Sequence, residues 1–517
     1  MSIEILESRI APAAVTAPTI NLITSGQSLK ITGGTAADSI QISIGADSTG
    51  GVDIYAPSGT NFLHNGSVDT PVNGYIHLPT VLGSISVIGG TNGGSHVGFA
   101  PGVYSGNVTL NLGGSGNSVD IQAATIGGAL TINTPQGGTS VTFDSYVPTL
   151  IGGSVKMLLG SGTNTVSVTT PQFRVAGSFS YVGGPAKLPS AAIGTNVLLV
   201  NQQTSGGLFS VAGSMLFNSK NAPGDVSIQS YAVNISKSLT IAETTSVIPS
   251  QPDTISGATV AIGGSLTWSS TGAQGFLLDG GGVSVAGKVT LSQLGNGLMK
   301  IGGASTSIGS LLATSKGNGG LQVTPATSLQ INGGVKLDGL GFVAIQGIGN
   351  IGGSLMATNV GDVHIDDAFT IAAGSGYGLY IGGSVKVTVA PPSINPNASH
   401  SIYMANLVVG GSVGVTGNIA GDFVSLRDSR VFGAASFTSS QGLIITQDAG
   451  ANQMLISGAT TITLPAAGAN FSVIDQNPPS PTPLFLGKTK IVAPFAPSDT
   501  FNYTSNLFAS PVVVSAK

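Results

Sequence analysis

The chain has no cysteine, one tryptophan and only three glutamates, and charged residues fill 7% of its 517 positions. Without cysteine there are no disulfides, thiolate metal sites or thiol nucleophiles. Ordinary proteins carry about 25% charged residues, so a surface built mainly from uncharged groups is expected. The few cations do not cluster along the chain. Lysines and arginines stand singly, aromatics are not interleaved with them, and the net charge is −4. That pattern argues against the basic patch on which nucleic-acid binding depends. No run of about eighteen apolar residues exists, so no membrane-spanning helix is expected. Met1-Ser-Ile-Glu-Ile-Leu-Glu-Ser-Arg9 also lacks the basic start and apolar stretch of an ordinary secretory signal.

What the chain does contain is glycine, 78 residues of it, with abundant Ser, Thr and Asn. Its mean hydropathy is positive, whereas disordered chains are poor in apolar residues. Valine, isoleucine and leucine are spread evenly, which suits a thin continuous core. A block of the form apolar–Gly/Ala–Gly–Ser–apolar recurs. It reads Ile151-Gly-Gly-Ser-Val155, Val175-Ala-Gly-Ser-Phe179, Ile262-Gly-Gly-Ser-Leu266, Ile351-Gly-Gly-Ser-Leu355 and Ile381-Gly-Gly-Ser-Val385, among other copies. Successive copies start mostly 20 to 30 residues apart.

After each block the residues alternate. In Val385-Lys-Val-Thr-Val389 the valines share one face of a strand and Lys386 and Thr388 take the other. The glycines supply positive φ or close backbone approach at a corner. These features predict an all-β chain, a single-stranded parallel β-helix (β-solenoid) with about 22–25 residues per rung. About seventeen rungs, about 4.8 Å apart, would give a rod on the order of 80 Å long. Residues 1–19 are expected to be a disordered leader and 20–470 the solenoid. Loops are expected near 183–207, 243–257 and 390–402. Residues 471–517 are expected to form a Pro-rich linker and a C-terminal β cap over an otherwise open edge.

Parallel β-helices include polysaccharide-cleaving enzymes, which need paired carboxylates or a base beside calcium. Only Glu243 of the three glutamates falls in the solenoid. The best acidic cluster is His364-Ile-Asp366-Asp367. Alternation places His364 and Asp366 together on the outer face, with Asp367 at a turn. This resembles the acidic pair of polygalacturonase-like hydrolases, without their Gly-His-Gly or Arg-x-Lys; a solvated turn is the plainer reading. Arg427 and Arg430 supply two of the four arginines and could clamp an anionic sugar or form a surface ion pair. Gly113-Gly-Ser-Gly-Asn-Ser-Val-Asp120 and Gly33-Gly-Thr-Ala-Ala-Asp38 resemble degenerate calcium-binding nonapeptides. Asp38 and Asp120 are thus calcium candidates, against a plain Gly/Asn corner. No cofactor is otherwise implied.

Ile5-Leu-Glu-Ser-Arg-Ile-Ala-Pro-Ala13 resembles the short leader of glycine-rich, β-strand-repeat surface proteins of some environmental bacteria, a variant of Leu-Glu-Pro-Arg. The repeats resemble those of autotransporter passengers and filamentous adhesins. This resemblance implies export and display outside the cell or on its surface. The expected function is therefore a non-enzymatic, adhesin-like scaffold. Its partners would be glycans or cell-surface components, with self-association through the solenoid ends. The alternative is a polysaccharide lyase or glycoside hydrolase.

Overall fold

The computed structural model describes residues 19–516 apart from 34–39, 47–50, 73, 80–82, 92, 124, 137, 185–194, 203, 220–221, 245–250, 367–377, 390–398, 418–420, 448–452, 466–469, 476–483, 494–499 and 503–506. The expected leader lies outside the described residues, except Thr19, which opens the first strand. The chain forms a parallel β-solenoid of about 15 turns with about 24 residues per turn. That is fewer than the seventeen or so rungs expected, in part because the first strands form antiparallel pairs as well as parallel ones. Thr19–Ser25 pairs antiparallel with Ser28–Gly33, and Val52–Tyr55 pairs antiparallel with both Gln41–Ala46 and Tyr75–Leu78.

One turn shows why the residues fold this way. Thr149–Ile151 forms the first face, Val155–Leu159 the second and Asn164–Val168 the third. Each pairs with its counterpart one turn on, at Gln172–Val175, Phe179–Gly183 and Asn196–Gln202. Val155, Met157 and Leu159 point inward and are buried, while Lys156 and Leu158 point out. Burying such an aliphatic side chain contributes about 1.5–3 kcal/mol, and inward columns of this kind repeat along the rod. Strand Asn196–Gln202 lies inside the loop expected at 183–207, so that insertion is shorter than the sequence implied. Strands Asp253–Ile262 and Ser401–Ala405 likewise begin within expected loops. Beyond residue 470 the ladder continues, with Thr489–Ala493 stacked on Thr460–Thr463 and Val512–Ala516 on Thr489–Ala493.

The recurring block is the corner between the first and second faces. None of its glycines has positive φ; close approach is the reason for them. A methyl group on Gly264 would stand 2.7 Å from Ser238 Oγ, and one on Gly383 would meet Ser354 Oγ and, at 2.8 Å, Ser354 N. The block serine explains the crowding. Its hydroxyl oxygen accepts the backbone N–H of the next rung, as Ser384 N donates to Ser354 Oγ (3.1 Å) and Ser412 N to Ser384 Oγ (3.0 Å). Glycine and serine are therefore one device repeated turn after turn.

The corner between the second and third faces is polar inside. Asn164 Oδ1 accepts Thr139 N–H (3.1 Å), Asn164 Nδ2 donates to Asn196 Oδ1 (3.0 Å), and Asn196 Nδ2 donates to Ser219 Oγ (2.8 Å). These buried side chains satisfy backbone groups that the turn would otherwise strand.

Gly383→Ala is expected to destabilise the protein by about 1–3 kcal/mol through overpacking against the neighbouring rung. The measurement is the shift in urea midpoint, and an unchanged midpoint would refute the close-approach account.

Candidate functional site

The third face gathers several of the side chains singled out in the sequence. Asp362–Asp366 pairs with Ser401–Ala405, which pairs in turn with Phe423–Arg427. Val363 and Ile365 point inward, leaving His364 and Asp366 outward. His364 Nε2 lies 2.7 Å from Asp366 Oδ2, with the imidazole 40% exposed. On the next rung Tyr403 meets His364 edge to face, the ring centroids 4.8 Å apart and the planes at 89°. One rung further, Arg427 stands in the column of Ala405, whose small side chain leaves it room. Asp367 lies outside the described residues.

A His–carboxylate pair beside a phenol, with a guanidinium two rungs along the same face, is a set that can hold a sugar and move a proton. Tyr403 gave no signal in the sequence, since an insertion separates it from His364. The arginines do not form a joint clamp. Arg427 Nε sits 3.2 Å from Asp428 Oδ2, and Asp428 occupies a left-handed corner (φ 46°). Burial pushes the Asp428 carboxyl up, and the Arg427 charge opposes that shift. Arg430 falls on the first face, where its Nη2 donates to Gln453 Oε1 (3.3 Å).

Asp120 is an outward residue of the third face, paired in register with Thr142. Burial raises its carboxyl, as does neighbouring Asp144, while His96 opposes them. Asn117, where the calcium motif would carry aspartate, is committed to the corner. Its Oδ1 accepts Ser95 N–H (3.0 Å) and its Nδ2 donates to Gly114 O (2.5 Å). Asp38 lies outside the described residues. Among the described residues no group of three His, Asp or Glu side chains is arranged to hold a metal.

Glu243 is not on the surface at all. It continues the inward column of Leu239 and Ile241, stacked between Ser219 and Ser270, and is 2% exposed. Neither of its carboxyl oxygens has a well-aligned hydrogen-bond partner, although Ser270 and Asp253 stand beside it. Asp253, fully buried, accepts from Trp268 Nε1 (2.6 Å), Val226 N–H (2.7 Å) and Gln274 Nε2 (2.8 Å). Burial raises both carboxyls, and the Asp253 charge pushes Glu243 up further. Asp225 adds negative potential to each. Glu243 is thus the member that keeps its proton, while the three donors favour charge on Asp253.

Comparison of the chain with protein-family models, curated proteins and solved structures returns no match.

The buried pair has a consequence for stability. An unfolded glutamate ionises in the ordinary range, whereas Glu243 stays protonated in the fold, so above that range the unfolded state binds fewer protons. Stability is therefore greatest below the ordinary carboxyl range. The Glu243 contribution falls as the pH climbs above that range, by up to about 1.4 kcal/mol per pH unit. Glu243→Gln is expected to flatten that slope. Urea midpoints from pH 4 to 9, read by the fluorescence of Trp268, check this; parallel profiles for wild type and variant would contradict it.

Proposed function

We propose that the protein is an extracellular or cell-surface scaffold of adhesin type, a stiff rod that presents a Ser/Thr/Asn surface to glycans or cell-surface components. The observation that carries this reading is the regularity of the second face. Thr240, Thr267 and Thr290 stack in register on successive rungs, flanked by Ala242, Ser269 and Ser292. At about 4.8 Å per rung, the threonine column offers the same hydroxyl on three successive rungs. Weak contacts repeated along a rigid support sum to strong attachment without one tight pocket. Display outside the cell rests on the resemblance of the leader and repeats.

A second reading, a polysaccharide lyase or hydrolase, is favoured by one observation: His364, Asp366, Tyr403 and Arg427 share a face over three rungs. A panel of polyuronates and neutral glycans assayed for binding and for cleavage separates the two. Binding without release of reducing or unsaturated ends is the expected result. Chain cleavage that Asp366→Ala abolishes would replace the scaffold reading with the enzymatic one.

A further inference from the structure

Lysines scattered along the sequence align in the fold. The outward column of the second face carries Lys156, then six uncharged rungs from Ser180 to Leu312, then Lys336, Met356 and Lys386, and later Thr461 and Lys490. The flanking column carries one carboxylate among the described residues, Asp338. In a chain of net charge −4, this face is positive.

Within it, Gly414 occupies the position between Lys386 and Ser436. Its φ is not left-handed, and a methyl group added there would meet nothing within 4 Å. Unlike the corner glycines, it is required neither by backbone conformation nor by close packing. Its effect is to leave out a side chain. A groove of about 500 Å³ opens there, bordered by Lys386, Thr416, Ser436 and Thr461 and without a carboxylate in its lining. At the neighbouring corners alanine replaces the block serine, at Ala434 and Ala459, which keeps that side of the groove shallow.

We infer that the groove opened by Gly414 binds an acidic polysaccharide chain lying along the solenoid axis, with Lys386 facing its carboxylate or sulfate groups. Hydroxyls at the rim suit the sugar hydroxyls, and the lysine column supplies complementary charge over several rungs. Lys386 and Lys490 stand four rungs apart, about 19 Å, a span of several sugar units. This inference rests on the glycan-binding reading above and names its ligand class and its place.

The test is affinity electrophoresis of the full chain in gels containing polygalacturonate or the neutral glucan dextran. Wild type should be retarded by polygalacturonate more than by dextran, and less so as salt rises. Gly414→Thr restores the residue type common in this column, so its thermal midpoint should hold or rise. It should nevertheless bind polygalacturonate about tenfold or more weakly. Lys386→Ala should erase the preference for the acidic polymer. Undiminished polygalacturonate binding by a folded Gly414→Thr, or an unchanged preference in Lys386→Ala, would overturn the groove while leaving the scaffold reading standing. Failure of wild type to bind any glycan would overturn both.

Discussion

Parallel rungs joined by backbone hydrogen bonds sit about 4.8 Å apart, and every corner must turn within that height. At the block corner, Ser354 and Ser384 hand their hydroxyl oxygens to the rung above, which brings the next glycine against serine with no space for a Cβ. That contact fixes the register of the first and second faces. With the register fixed, inward valines and isoleucines stack into a continuous core and outward residues stack into columns. The surface is as periodic as the core because the same constraint generates both.

The interior is not uniformly apolar. Asn117, Asn164, Asp253 and Asp422 each accept a backbone N–H from a neighbouring rung. Asp422 is fully buried with His400 Nδ1 3.1 Å from its carboxylate. These side chains do for the second corner what serine does for the first. Where Glu243 stands in the column of Ser219 and Ser270 at the end of the second face, a carboxyl enters the core without aligned partners, and pH becomes coupled to folding.

The fold was legible because both of its signals are local. The block and the period of two occur within about ten residues, and the structure bears out the solenoid they imply. Rung count and loop lengths were less legible, since insertions hide strands such as Asn196–Gln202 and the first strands pair antiparallel. The candidate site was legible in part. Alternation alone sets His364 beside Asp366, whereas Tyr403 and Arg427 join them only through pairing across insertions. The burial of Glu243 was legible too, since its spacing from Leu239 and Ile241 marks the inward face.

The sequence by itself determined the corner, the alternating strand and the scarcity of charge, because each depends on neighbours within one turn. It also scattered its lysines so widely that no basic surface could be read from it. Only the tertiary structure decided that Lys156, Lys336, Lys386 and Lys490 share one column and that Gly414 leaves a gap in it. The physical reason is that coils of unequal length stack in one register. Residues far apart in the chain become neighbours by the number of turns between them, and not by the number of residues.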